Sequence, residues 1–116
     1  GRIAQRGSGS SANTTLGEQF GYWDTNKVAG FQFTGGSDTA NKDDGQIKFY
    51  TSASGPSVSE RLRITQSGNV NIGGNLSQTT YTMQVTGTFN ATSNITQNGN
   101  ALATNGKAIA MALIFG

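Results

Sequence analysis

The chain has 116 residues, 34% hydrophobic and only 12% charged, with a formal net charge of +2 and neither Cys nor His. That length suits one domain or a few small modules. The missing residue types exclude disulfide frameworks, zinc ribbons, thiol nucleophiles and imidazole general bases. Arg2, Arg6, Lys27, Lys42, Lys48, Arg61, Arg63 and Lys107 are scattered, so no basic stripe tracks a phosphate backbone and no nucleic-acid partner is expected.

In chain order, Gly1-Arg2 opens without Met or a secretory pattern and reads as an expressed fragment, a processed product or the end of something longer. Residues 7–15, rich in Gly, Ser and Thr, read as an irregular connection. No window carries a capped apolar helical face. Strand signals recur at 20–24, 28–34, 46–51, 61–66, 69–73, 81–86, 88–91 and 107–115. Turn chemistry separates them at 35–38, 42–45, 53–56 and 98–100. These signals divide the chain into an N-terminal connection to a preceding shaft (1–19), a β-module (20–58), two repeats (59–98) and a closing strand (99–116).

Residues 59–73 are the most informative run. Leu62 and Ile64 alternate with Arg61, Arg63 and Thr65, the period of a half-buried strand. Ser67-Gly68-Asn69 provides a turn, and Val70 and Ile72 resume the alternation. A 19-residue repeat follows, aligning 61–79 with 80–98 without gaps. Gly68 matches Gly87, Asn71 matches Asn90, Asn75 matches Asn94 and Gln78 matches Gln97. The apolar positions match as well, Val70 with Phe89 and Leu76 with Ile95 among them. A unit that small cannot bury its own apolar face and must stack on neighbours or on other chains.

Gly, Ser, Thr and Asn make up nearly half of the sequence. So few bulky side chains cannot enclose a thick core, yet the net charge is too low for a disordered chain. A β-rich obligate oligomer satisfies both facts, with its apolar stripe buried against copies of itself. Phe31, Phe33 and Phe49 read as core. In residues 107–116, Ile109, Met111, Leu113 and Phe115 fall on one strand face with Ala on the other, far short of the about 20 residues of a membrane span. No membrane insertion is expected, and burial at a subunit interface is.

The run 59–73 also resembles a string common in bacteriophage tail fibres and tailspikes, of the form S-E-R-[LM]-R-I-x-x-x-G-N-V-x-I-G. Residues 28–34, 43–51 and 81–89 are similar to segments that accompany it. Residues 106–112 resemble the closing segment of fibres from marine, cyanophage-like viruses. The resemblance spans roughly residues 20–116. It implies an all-β, elongated, intertwined homotrimer, a triple-stranded β-helix or β-prism-like fibre, in the extracellular virion. Its implied partners are its own copies, other tail or fibre proteins, and a host-surface glycan or protein, with no cofactor. Leu62, Ile64, Val70, Ile72, Ile109, Met111, Leu113 and Phe115 are then expected at the trimer interface. Glu60, Arg61 and Arg63 are expected to form inter-chain charge pairs. The self-cleaving chaperone motif of many fibres, Ser-Asp-x-Arg-x-Lys, has no counterpart here. Closure by residues 107–115 or by a separate helper takes its place.

Trp23 and Tyr22 are the candidate receptor contacts, because an exposed aromatic face packs well on a sugar ring, although packing competes as an explanation. The acidic loop 38–45 does not match a calcium-loop spacing and contains Lys42, so no metal site is expected. The six acids, Glu18, Asp24, Asp38, Asp43, Asp44 and Glu60, fall mostly in turns, and no nucleophile elbow or triad occurs, so no catalytic residues are expected. Two other readings stay open: a structural appendage or extracellular filament subunit that binds no receptor, and a fragment of a polysaccharide-degrading tailspike.

Overall fold

The structure, a computed structural model, describes residues 2, 4–55 and 57–102. All regular structure there is β, and no helix occurs among the described residues. The expected strands at 107–115, with Ile109, Met111, Leu113 and Phe115, lie outside the described residues.

Six strands form one sheet in chain order: β1 (Thr15–Trp23), β2 (Asn26–Gly35), β3 (Gly45–Thr51), β4 (Ser59–Ile64), β5 (Val70–Ile72) and β6 (Met83–Val85). β1 to β5 form an antiparallel meander, and β6 pairs parallel to β5. The pairing of β3 with β4 carries the sheet across the expected boundary at residue 58. β1 starts at Thr15, inside the segment expected to be an irregular connection; Gly17 and Gly21 conceal its alternation in the sequence.

The turns follow their chemistry. A two-residue turn at Asp24-Thr25 joins β1 to β2, with Asp24 in the left-handed region at φ 54°. Between β4 and β5, the Gly68 amide donates to the Thr65 carbonyl at 2.9 Å and the Thr65 amide to the Asn69 carbonyl at 2.9 Å. With Gly68 at φ 87°, this is a type I turn closed by a left-handed residue, the usual three-residue hairpin loop. Buried Thr65 and Asn69 reinforce it through their side chains, and the Asn69 amide group donates to the Tyr81 carbonyl at 2.7 Å.

The connection from β5 to β6 crosses the polar side of the sheet and is clasped there by Asn71, which is 0% exposed. Asn71 Nδ2 donates to the carbonyls of Leu76 (2.7 Å) and Gln78 (3.0 Å), and its Oδ1 accepts from Gln78 Nε2. Every polar atom of this buried amide is thereby paired, as burial demands.

The second repeat does not copy the first. Its first strand forms as β6, but the expected strand at 88–91 does not, and a short hairpin follows instead: β7 (Thr96–Gln97) and β8 (Asn100–Ala101). The difference is one of partners, because β6 has joined β5, and among the described residues no strand of the six-stranded sheet pairs with the chain after Gly87.

Candidate functional site

The register sorts the sheet's side chains into two unlike faces. On one, Phe33, Ile47, Ile64, Val70 and Met83 lie opposite one another across five strands. Phe31, Phe49, Leu62, Ile72 and Val85 form a second row beside them. Phe31 packs edge-on against Phe33 with centroids 5.4 Å apart, and lies 6.4 Å from Phe49. On the other face the intervening row is Glu18, Gln32, Lys48, Arg63, Asn71 and Gln84.

Among the described residues nothing encloses the apolar face. No hydrophobic side chain among the described residues is fully buried, and Phe33, Phe49 and Met83 are 38%, 40% and 56% exposed. A Phe side chain carries roughly 200 Å², so the two phenylalanines alone leave on the order of 150 Å² of apolar surface in water. Contiguous patches of a few hundred Å² mark contact sites on soluble proteins. Phe31, Phe33 and Phe49, expected as core, thus line an open face of the protomer. A single sheet layer has no second layer against which to enclose them. The expected interface residues Leu62, Ile64, Val70 and Ile72 occupy the middle of this face, all half-buried.

An irregularity that simple alternation hides sets the polar side of β4. Phe49 pairs with Leu62 but Tyr50 pairs with Glu60, so Arg61 is an extra residue in β4. The bulge places Glu60 on the same side as Arg63, three residues away. Glu60 and Arg63, expected to pair between chains, therefore pair with each other: Arg63 Nε and Nη2 donate to the two Glu60 oxygens at 2.6 and 2.8 Å. Their side chains are 14% and 17% exposed, and this hydrogen bond raises the Arg63 pKa. Arg61, the third residue of that set, donates from Nε to Thr51 Oγ1 at 3.0 Å within the chain.

The polar face is hydrogen-bonded within the sheet, except that the buried Thr34 hydroxyl has no partner among the described residues. Tyr50 Oη donates to Gln32 Oε1 at 2.8 Å, and Gln32 Nε2 donates to Glu18 Oε2 at 2.8 Å. Burial, then the charge of Glu60, raises the Tyr50 pKa. Phe20 lies over Gly30, where a Cβ would collide with its ring, and reaches Tyr50 at 5.7 Å. The Lys27 ammonium stands 4.2 Å from the Phe20 centroid, a cation–π contact.

Tyr22 and Trp23 stand at the β1–β2 hairpin tip, 61% and 76% exposed. Beside Trp23 an open depression of about 580 Å³ is lined by Asp24, Asn26, Val28 and residues 52–55. Ser52 shapes its rim, its amide donating to the Val28 carbonyl at 2.9 Å and its hydroxyl to the Gly55 carbonyl at 3.0 Å. The two aromatics and the apolar rows are separate features. Sequence reasoning named residues of both, Phe49 among them as core, but missed Ile47, Met83 and Val85 as members of the apolar face.

In the acidic loop, Asp38 Oδ1 accepts the amides of Ala40 (3.1 Å) and Asn41 (3.0 Å), bonds that lower its pKa. Asp44 accepts the amides of Ser37 (3.2 Å) and Asp38 (3.2 Å). Both carboxylates are thus engaged by the loop's own backbone. Among the described residues no group of three or more acids is arranged to hold a metal ion. No family model and no curated protein matches the chain.

Proposed function

We propose that this chain is a subunit of a homotrimeric fibre, the distal part of a phage tail fibre that attaches the virion to its host. The observation that carries the reading is the pair of apolar rows across five strands that no described residue encloses. Three such sheets turned inward around a threefold axis bury those rows against one another, and their polar faces, already hydrogen-bonded, meet water. The resemblance of residues 59–73 to tail-fibre sequences supports the viral setting. Isologous contacts alone make a dimer with two sheets face to face; a third sheet suits the elongated fibre that the resemblance implies.

In this reading Trp23 and Tyr22 present flat, rigid aromatic surfaces to a host glycan or protein. Asp24, Asn26 and Ser52 beside Trp23 offer hydrogen bonds to sugar hydroxyls. Three copies per fibre multiply weak contacts into firm attachment. Sedimentation tests the assembly: a trimer at every workable concentration is expected, and a well-folded monomer refutes it. Host adsorption tests the role, because the isolated protein should compete with virions, and Trp23→Ala should remove that competition while leaving the trimer intact. A trimer that never competes belongs instead to a structural appendage or filament.

A further inference from the structure

Among the described residues Asn98 is the one asparagine followed by glycine. Asn98-Gly99 forms the two-residue turn of the β7–β8 hairpin, where Gln97 lies opposite Asn100. Both turn residues have positive φ, 51° and 81°, the type I′ geometry that Asn-Gly favours. Other asparagines of the fold are held by their side chains. Asn71 is fully enclosed and paired, Asn69 donates to the Tyr81 carbonyl, and Asn13 Oδ1 accepts from Gln46 Nε2 at 2.8 Å. The Asn98 side chain is exposed and enters no hydrogen bond among the described residues.

The surroundings leave the pair open. A Cβ built on Gly99 meets nothing within 4 Å, so on that side no atom shields the backbone. The hairpin is two residue pairs long, extended by the Leu102 amide donating to the Ile95 carbonyl at 2.8 Å. Among the described residues no strand of the six-stranded sheet packs on it. A hairpin that short is marginal in water and opens locally. Asp44-Gly45, the described aspartate before a glycine, is the contrast. Its carboxylate accepts the Ser37 and Asp38 amides, and Gly45 is fixed in β3 opposite Gly35.

We infer that Asn98 is a site of spontaneous deamidation, a slow chemical change built into the tip of this hairpin. The Gly99 amide nitrogen gives its proton to solvent base and attacks Asn98 Cγ. The new N–C bond closes a five-membered succinimide, and the side-chain nitrogen leaves as ammonia. Water then opens the ring at one of its two carbonyls. Opening at the former side-chain carbonyl gives aspartate; opening at the main-chain carbonyl gives isoaspartate, whose backbone runs through the side-chain carbon. Either product replaces a neutral amide by a carboxylate, so the net charge falls by one from +2. Aspartate also suits a type I′ turn and keeps the hairpin. Isoaspartate adds a methylene to a two-residue loop whose length sets the register, so Gln97 and Asn100 lose their pairing.

The unaltered protein is incubated folded at mildly alkaline pH and sampled over time, with peptide fragmentation in a mass spectrometer assigning each site. A gain of about 1 Da at Asn98, from NH2 replaced by OH, is expected as two separable products, ahead of every other described asparagine. Fragmentation reads Asn105-Gly106, which lies outside the described residues, separately. Over the same period the NMR signals of Thr96, Gln97, Asn100 and Ala101 should split, while those of β1 to β5 stay fixed. Asn98→Gly accepts the positive φ and has no amide to lose, so its hairpin signals should stay unchanged. No gain at Asn98 in the folded protein overturns the inference, whether or not the denatured chain gains it. Hairpin signals that split equally fast in Asn98→Gly overturn the assignment to this residue.

Discussion

Truncating Phe49 to alanine tests the assembly where it is most quantitative. Phe49 sits at the centre of the apolar face, opposite Phe31 and Leu62, and is 40% exposed in the protomer. With roughly 200 Å² for the whole side chain, about 80 Å² of it is left for other copies to cover. At about 25 cal/mol per Å² that contact contributes about 2 kcal/mol per chain, or about 6 kcal/mol per trimer. At 1.4 kcal/mol per decade, Phe49→Ala lowers the trimerisation constant about 10⁴-fold. The half-assembly concentration varies as the square root of that constant, so it rises about 100-fold. Sedimentation across a dilution series measures this directly. Lys48→Ala, one residue away on the polar face, is the control and should shift the midpoint by less than about threefold, as surface substitutions do. An unchanged midpoint for Phe49→Ala, or equal shifts for both variants, refutes the claim that the apolar rows hold the chains together.

Other outcomes follow from the polar face. Asn71→Asp sets a carboxylate against the Leu76 and Gln78 carbonyls that the amide now serves; a loss of about 3 kcal/mol or more in denaturant unfolding is expected at neutral pH, with partial recovery in acid as the carboxyl protonates. Tyr50 has its pKa raised by burial and by Glu60. The fold therefore favours the protonated phenol, and that stability is fully present below the ordinary tyrosine value of about 10 and lost as pH climbs through the folded value. Melting temperature should fall in that alkaline window, and Tyr50→Phe should flatten the fall; an identical profile in the variant rejects Tyr50 as its source. Gly30→Ala places a methyl group against the Gln19 carbonyl and the Phe20 ring, with an expected cost of about 1–3 kcal/mol by thermal unfolding and a weakened Lys27–Phe20 contact.

The sequence by itself determined the all-β character, because period-2 alternation and Gly, Asn and Asp turns are local signals that no helix can satisfy. It also marked Leu62, Ile64, Val70 and Ile72 as companions and named Trp23 and Tyr22 as candidate contacts, while the exposure of both came only with the structure. Only the tertiary structure decided the bulge at Arg61, the consequent pairing of Glu60 with Arg63, and the membership of Ile47, Phe49, Met83 and Val85 in one face. Each of these depends on cross-strand register, which joins residues distant in the chain and flips sides with a shift of one position. The unequal fate of the two repeats has the same origin. Their local patterns match, but a strand forms only where a neighbour offers hydrogen bonds, and among the described residues Val70 has one while Phe89 does not.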